Sequence, residues 1–137
     1  RVVTDLPQDL PLVRADFVLL EQALVNLLEN AARYAPVGST VEVIGHAGSD
    51  GVLLEVRDRG PGIPADAAER VFDPFYRTPE SPPGQGVGLG LAVARGFVVA
   101  MGGTLVALER AGGGTTFRLA FPAELVSRSR TEEAALA

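Results

Sequence analysis

The stretch DFVLLEQALVNLLENAARYAP, residues 16–36, decides how this chain folds. Its leucines and alanines recur at intervals of three and four residues, which is the spacing of one face of an α-helix. Asp16 offers an N-cap, and Pro36 ends the pattern because proline does not continue a helix. We therefore predict a helix over residues 17–34 whose apolar stripe packs on a core.

The other side of this helix carries polar side chains. On a helical wheel Gln22, Asn30 and Arg33 fall within about 40° of Asn26, and Tyr34 lies about 80° away. A carboxamide oxygen can ligate Mg²⁺ while its NH₂ group donates to a phosphate oxygen. A guanidinium pairs with phosphates, and a phenol ring can stack on a base. The stripe indicates either a nucleotide site or an ordinary solvated helix face.

The rest of the chain predicts a sheet and further helices. A short helix is expected over residues 65–71, and a long one over residues 89–101 that Gly102 and Gly103 end. Together these patterns predict a two-layer α/β sandwich, in which a mixed sheet carries about three helices on one face. Strand-like runs occupy residues 1–3, 40–46, 52–57, 104–108 and 115–121.

Length and composition fit one domain. The chain has 137 residues, of which 47% are hydrophobic, and this is enough material for a single core. We expect the domain to cover residues 1–125, and residues 126–137 to form a flexible tail. Residues 78–90 contain three prolines and four glycines, which predicts a mobile loop.

Charge and residue usage exclude several classes of protein. The absence of cysteine excludes disulfide scaffolds, thiolate metal sites and cysteine nucleophiles. A net charge of -5 argues against nucleic acid as the main partner. No apolar run reaches the roughly 18 residues of a membrane-spanning helix, and the N-terminal segment lacks the regions of a signal peptide. We expect a cytoplasmic domain that does not itself contact a membrane.

Two glycine-rich segments carry further chemistry. DRGPGIP, residues 58–64, follows a predicted strand, so Asp58 is either a turn residue or an acceptor for an amine such as adenine N6. In GQGVGLGLAVAR, residues 84–95, Gly86, Gly88 and Gly90 lead directly into helical periodicity. Backbone N–H groups at a helix N-terminus bind anions. The segment does not follow a strand, as the dinucleotide-binding motif does, and it lacks the GK[ST] of a Walker loop. It therefore predicts a phosphate-binding loop of another kind.

Four segments together resemble the motifs of the GHKL ATPase superfamily, and within it the catalytic domain of sensor histidine kinases. NLLENAARYAP (26–36) resembles the N box, DRGPGIP (58–64) the first glycine box, FDPFYR (72–77) the F box and GVGLGLAVAR (86–95) the second glycine box. The helical runs are most similar to the Kdp-type potassium-sensor kinases. The resemblance covers about residues 5–122 and implies the Bergerat ATP-binding fold.

The resemblance also implies a role for each motif residue. Asn30 would be the main Mg²⁺ ligand with Asn26 assisting, and these two form the predicted catalytic pair. Arg33 would contact phosphate, Tyr34 would pack on adenine and Asp58 would accept a hydrogen bond from the adenine amino group. Phe72 would help Phe75 to anchor the loop that follows the F box. The other implied ATP contacts are Gly60, Gly62, Ile63, Phe75, Gly86, Val87, Gly88, Leu89, Gly90 and Leu91.

Two further residues bear on the reaction. Hydrolytic members of the superfamily have a Glu one turn before the Mg²⁺-binding Asn, whereas this chain has Asn26, an amide that cannot take a proton from water. Transfer to another acceptor is therefore favoured, with Glu29 as a weak substitute base. The single histidine, His46, lies within a predicted strand and is interpreted as a surface residue. The acceptor histidine is expected on a helical hairpin N-terminal to this domain.

The sequence thus predicts a protein-histidine kinase domain that uses ATP and Mg²⁺. Its expected partners are a dimerisation and phosphoacceptor domain of the same kinase and, indirectly, a response regulator, in a parent protein attached to a membrane. Two alternatives stay open. One is a nucleotide-binding module that regulates a partner without phosphoryl transfer, and the other is a serine kinase or slow ATPase of the same superfamily.

Overall fold

The computed structural model of this protein describes residues 1–76 and 88–126. Most of the loop predicted at residues 78–90 and nearly all of the tail predicted at residues 126–137 therefore lie outside the described residues. The elements, in chain order, are β1 (Val2–Asp5), α1 (Phe17–Tyr34), β2 (Val41–Gly48), β3 (Gly51–Arg57), 3₁₀ turns at Ala65–Ala67 and Arg70–Phe72, α2 (Gly90–Ala100), β4 (Thr104–Glu109), β5 (Thr115–Pro122) and a last 3₁₀ turn at Ala123–Leu125.

Helix α1 begins and ends where the sequence predicts. The carboxylate Oδ1 of Asp16 accepts hydrogen bonds from the main-chain N–H groups of Val18 (2.9 Å) and Leu19 (3.2 Å), which have no partner inside the helix. At the other end Ala35 is extended, with ψ 139°, as expected of a residue that precedes a proline. The prediction of a helix over residues 17–34 is confirmed.

The five strands form one mixed sheet in the order β1-β2-β3-β5-β4. Strand β1 pairs with β2 in parallel, and the chain crosses between them through α1. The other three pairs are antiparallel. All five predicted strands are present, although β1 runs over Val2–Asp5 and not over residues 1–3. This order places the ends of β3 and β5 side by side near the C-terminal half of α1.

The core lies between one face of the sheet and the two helices. Alternate residues of each inner strand are buried there, and α1 and α2 pack against each other above them. This arrangement confirms the predicted two-layer sandwich. The largest fully buried side chains are Phe117, Leu27, Leu105, Leu119, Val56 and Val98.

The prediction of a short helix over residues 65–71 is wrong. The chain forms two separate 3₁₀ turns there, Ala65–Ala67 and Arg70–Phe72. Asp73 is extended, with ψ 137°, because Pro74 follows it, so no longer helix can form at this point. The described residues therefore contain two α-helices where about three helices were expected. Among the described residues, no helix combines the length and the hydropathy needed to cross a membrane.

Candidate functional site

A cleft of about 290 Å³ opens between the C-terminal half of α1, the loop that follows β3 and the first turn of α2. Residues from three motifs that are far apart in the sequence meet on its walls. The lining residues are Asn26, Glu29, Asn30, Arg33, Tyr34, Asp58, Pro61, Gly62, Ile63, Val71, Tyr76, Gly88, Leu89, Gly90, Leu91 and Thr115.

Helix α1 supplies one wall of the cleft with its polar stripe. Asn26, Asn30 and Arg33 lie on successive turns, and Tyr34 closes the helix beside them. Leu27, one position after Asn26, is fully buried, so the amphipathic pattern itself turns the amides away from the core and into the cleft. Gln22, on the same stripe of the wheel, lies beyond the cleft wall.

Asp58 lies on another wall of the cleft, at the start of the loop that follows β3. It is only 2% exposed, and its Oδ1 accepts hydrogen bonds from the main-chain N–H groups of Gly60 (2.8 Å) and Thr115 (3.3 Å). The main-chain N–H of Asp58 in turn donates to the carbonyl of Thr115 at 2.9 Å. In the part of the chain that the structure describes, no donor reaches Oδ2. This oxygen is therefore available to a donor on a ligand.

The surroundings of Asp58 disfavour the ionised form of its carboxyl group. Burial raises the pKa of the carboxyl group, and this effect outweighs the lowering by the N–H groups of Gly60 and Thr115 and by the positive charge of Arg110. A buried carboxylate of this kind gains more from a new hydrogen-bond donor than an exposed one does. Perturbed acids in a cleft are also common at functional sites.

Two glycines of the cleft wall adopt positive φ angles. Gly62 has φ 82°, and Gly88, just before α2, has φ 78°. A Cβ on Gly88 would lie 2.8 Å from Cα of Phe75, so the chain can pass here only with glycine. This close approach of Gly88 to Phe75 brings the first turn of α2 to the cleft. The N-terminus of a helix attracts anions.

Some predicted contact residues lie elsewhere. Gly60 is behind the wall, where a Cβ would be 3.1 Å from both Oδ1 of Asp58 and the carbonyl oxygen of Tyr34. Phe75 is 67% exposed and does not line the cleft, although its N–H donates to the carbonyl of Gly88 at 2.8 Å. Phe72 is buried against Phe117, with ring centroids 6.2 Å apart. The predicted contacts Gly86 and Val87 lie outside the described residues.

Four lining residues were not predicted: Pro61, Val71, Tyr76 and Thr115. Pro61 lies between the glycines of its motif, and Tyr76 directly follows the second phenylalanine of FDPFYR, so adjacency to the motifs is a usable signal. Thr115 opens β5, and its proximity to Asp58 follows only from strand pairing. Glu29, considered only as a substitute base, also lines the cleft.

The donor set of the cleft fits a magnesium ion that arrives with phosphates. No group of three or more His, Cys, Asp or Glu side chains that could hold a metal occurs among residues 1–76 and 88–126. Asn26 and Asn30 instead offer neutral amide oxygens. Mg²⁺ is usually bound through one or two protein ligands together with substrate phosphates and water, so amides alone suffice only when phosphates complete the shell.

His46 lies on β2, away from the cleft wall, and its side chain is 50% exposed. It is a surface strand residue, as predicted. The sequence shows no acidic neighbour, but strand pairing brings Nε2 to 3.2 Å from Oε1 of Glu55. Glu55 is 3% exposed and also pairs with Arg57 and Arg118 on the outer face of the sheet.

Comparison with known proteins agrees with this geometry. The family described as histidine kinase-, DNA gyrase B-, and HSP90-like ATPase matches residues 15–125. The sensor protein KdpD of Escherichia coli (strain K12) is 40% identical over 117 residues, which cover 85% of this chain and 13% of that protein. The adaptive-response sensory kinase SasA of Nostoc sp. (strain PCC 7120) is 38% identical over 123 residues, which cover 89% of this chain and 31% of that protein.

Solved structures show the same fold. The mycobacterial sensor histidine kinase MprB superimposes with a TM-score of 0.78 at 30% identity, over 88% of this chain and 83% of that chain. Full-length ShkA in complex with AMPPNP gives a TM-score of 0.75 at 32% identity, over 88% of this chain and 25% of that chain. The chain is short beside its relatives, since it spans only 13% of the length of the Escherichia coli KdpD.

Proposed function

Since this chain belongs to the family of histidine kinase-, DNA gyrase B- and HSP90-like ATPases, we propose that it is the ATP-binding catalytic domain of a two-component sensor histidine kinase. In this proposal it transfers the γ-phosphoryl group of ATP to a histidine on a separate dimerisation and phosphoacceptor domain. One observation carries the proposal: a buried carboxylate, two amides and a guanidinium line a single cleft.

The carboxylate end suits adenine. Oδ2 of Asp58 accepts a hydrogen bond from the N6 amino group, whereas the O6 of guanine would bring an acceptor against a charged acceptor. Tyr34 and Ile63 line the same cleft and offer flat and apolar surfaces to the base. Stacking of a base on an aromatic ring contributes roughly 1–3 kcal/mol. The solved complex of ShkA with the nucleotide AMPPNP supports a nucleotide at this site.

The amide end suits the phosphates. Asn30, assisted by Asn26, would hold Mg²⁺, and the ion neutralises charge on the phosphate oxygens when it is bound. Arg33 donates to phosphate oxygens from the next turn of α1, and the start of α2 at Gly88 and Leu89 adds the positive end of a helix dipole. Phosphoryl transfer depends mainly on such positioning and charge stabilisation, and less on acid–base chemistry.

The choice between transfer and hydrolysis depends on a base for water. Asn26 is an amide and cannot act as one, which favours transfer to a histidine. Glu29 is the carboxylate that lines the cleft on α1, and it favours slow ATP hydrolysis as the second candidate function. Replacement of Glu29 by Gln separates the two, because it abolishes ATP hydrolysis if Glu29 is the base and leaves transfer to a histidine in place.

The relatives support the partners in this proposal. KdpD is a sensor protein and SasA a sensory kinase, and both are much longer than the matched segment. We infer that the acceptor histidine belongs to another segment of the parent kinase, and that a response regulator receives the phosphoryl group from it. We also infer that the domain works in the cytoplasm, held near a membrane by its parent protein.

The test is phosphoryl transfer in trans. The chain is incubated with Mg²⁺, ATP labelled on the γ-phosphate and a purified dimerisation hairpin from a related kinase, and the label on protein is then challenged with acid and base. We expect label on the hairpin that is lost in acid and stable in base, as for phosphohistidine. Acid-stable label on serine, or release of phosphate with no labelled protein, would contradict the proposal. A hairpin with its histidine replaced by alanine is the control.

A further inference from the structure

Two arginines tie the loop that carries Asp58 to the β4–β5 hairpin. From the loop side, Nη1 of Arg59 donates to the carbonyl oxygens of Ala111 (3.1 Å) and Gly113 (3.0 Å). From the hairpin side, Nη1 of Arg110 donates to the carbonyl oxygen of Asp58 itself at 3.1 Å. The hairpin thus fixes the main chain of the residue at the adenine end of the cleft.

Arg110 differs from Arg59 in its burial and in its second partner. Its side chain is 8% exposed, and its Nη2 donates to Oε1 of Glu42 on β2, whose side chain is 35% exposed. Neither Arg110 nor Glu42 lines the cleft, so a role for them at this site would act through Asp58. Because a guanidinium stays protonated throughout the accessible pH range, a fixed positive charge lies behind Asp58.

We propose that Arg110 and Glu42 form a positioning pair that sets how well Asp58 accepts the adenine amine. Arg110 holds the main chain of Asp58 and favours its ionised carboxylate, and Glu42 offsets part of the arginine charge. The inference rests on the proposed function, because it needs Asp58 as the acceptor for the base. It adds to that function a second layer of residues, contributed by β2 and by the hairpin, that controls selectivity for adenine.

The two members of the pair act on Asp58 with opposite sign. Burial raises the pKa of Asp58, and the charge of Arg110 is one of the influences that lower it. Loss of the arginine charge therefore raises this pKa further, so that Asp58 takes up a proton at a higher pH. We expect loss of the Glu42 charge to leave Arg110 unopposed and so to move the pKa of Asp58 down. A protonated Asp58 is a poorer acceptor for the amine, so the affinity for ATP falls on the acid side of this pKa.

Several other ionisable side chains lie near Asp58, and neither the Arg110 nor the Glu42 variants alter them. Glu29, Arg33 and Tyr34 face the cleft from α1, Tyr76 faces it from the segment after the 3₁₀ turns, and Arg59 lies on the loop itself. These side chains and the phosphates of ATP are the same in wild type and in the Arg110 and Glu42 variants. The difference between the pH profiles therefore reports the pair.

The experiment measures the affinity for Mg·ATP by calorimetric titration from acidic to neutral pH. We expect Arg110→Met to weaken binding at neutral pH by about tenfold, a change of about 1.4 kcal/mol. It should also move the acid limb, the low-pH part of the profile in which the affinity falls, to higher pH. Glu42→Gln keeps the shape and an acceptor for Arg110, and it should move the limb to lower pH. Arg110→Lys retains the charge and should return the limb toward that of the wild type.

Arg59→Met is the matched control, because it breaks the other tie between loop and hairpin without altering the pair. We expect it to leave the acid limb in place. If Arg110→Met and Glu42→Gln weaken binding alike with an unmoved limb, the pair is merely structural and the inference fails. If Arg110→Met does not fold, Glu42→Gln still decides, since a limb that stays or moves to higher pH overturns the proposal.

The failure of this inference can be told from failure of the proposed function. A wild-type chain that binds ATP no better than GTP removes the adenine site and the proposed function with it. If the wild-type chain clearly prefers ATP and the acid limb does not move in the variants, only the proposed role of the pair is wrong.

Discussion

Replacement of Asp58 by Asn tests the adenine end of the cleft with almost no change of shape. An Asn side chain can keep its carbonyl oxygen where Oδ1 accepts from the N–H groups of Gly60 (2.8 Å) and Thr115 (3.3 Å). The NH₂ group then takes the place of Oδ2 and presents donors to the base. The variant therefore converts an acceptor for adenine N6 into a donor for guanine O6.

The magnitude follows from one lost interaction. A hydrogen bond to a charged group contributes about 1.5–3 kcal/mol, and the variant both loses this bond and sets a donor against a donor. Affinity for ATP should therefore fall by roughly tenfold to 150-fold. Affinity for GTP should hold or rise, because the new NH₂ group matches the guanine acceptor. The preference for ATP over GTP is the quantity to measure, by titration of both nucleotides into wild type and variant.

Stability without ligand should change in the other direction. Because burial raises the pKa of Asp58 above its ordinary value of about 3.9, the stability that this group contributes is fully present below that value and is lost as pH rises through the raised pKa. The amide that replaces the carboxyl group in Asp58→Asn carries no charge at any pH. The variant should thus have a midpoint of thermal unfolding at neutral pH that is no lower than that of the wild type, and the wild type should gain on it as pH falls. Equal loss of nucleotide binding and of stability, or an unchanged preference for ATP, would refute the role of Asp58.

Three further predictions concern other parts of the domain. Asn30→Asp should weaken Mg·ATP binding at least tenfold, because two like charges about 4 Å apart repel by on the order of 4 kcal/mol near a protein surface; Gln22→Glu, outside the cleft, is the matched control, and equal affinities would remove Asn30 from the site. Glu55→Gln should lower the free energy of unfolding by roughly 1–2 kcal/mol at neutral pH, since burial raises the pKa of Glu55 but its two arginine partners outweigh this and hold it lowered. That difference should begin to shrink as pH falls below the ordinary pKa of about 4.5 and should disappear only below the lowered pKa, where the wild type has lost its ion pairs. A gap that stays constant across this acid range contradicts the assignment. Gly88→Ala should cost at least about 1–2 kcal/mol of stability, measured by denaturant titration, because its φ of 78° is strained for alanine and a Cβ would also lie 2.8 Å from Cα of Phe75. Gly90→Ala, with open space around its Cβ, should cost nothing, and similar losses in both would contradict this.

Local patterns predicted the elements that depend on near neighbours. The cap at Asp16, the leucine spacing and Pro36 together defined α1, because each acts within a few residues. The prediction of a helix over residues 65–71 was wrong, and the reasons are again local. The stretch has apolar residues at plausible intervals, but it is too short to stabilise an α-helix, and Pro74 imposes an extended residue before it.

Contacts between distant segments could not be predicted in this way. Thr115 lies 57 residues from Asp58, and Arg110 lies 52 residues from it. Both reach Asp58 because β5 pairs with β3 and β4 pairs with β5, which is a property of the sheet order and not of any local pattern. Glu42 joins them from a third strand, 68 residues from Arg110. Most of the cleft lining could be predicted from motifs, whereas Thr115 in the lining and the residues behind it required the fold.

The burial of Asp58 has a thermodynamic consequence for nucleotide binding. Burial disfavours the ionised carboxylate, and a nucleotide amine would donate a hydrogen bond to it, so part of the binding energy would offset that unfavourable burial. Ligand binding at one hundred times the dissociation constant stabilises a folded protein by about 2.7 kcal/mol, whatever the contacts. At equal saturation by this measure, wild type and Asp58→Asn should therefore show the same stabilisation by ATP. At equal ATP concentration only the wild type gains its full increment, because only its carboxylate gains a hydrogen-bond partner when adenine binds. We therefore expect Asp58 to make the free domain less stable at neutral pH than an amide would, and this unfavourable burial to sharpen the proposed preference for adenine.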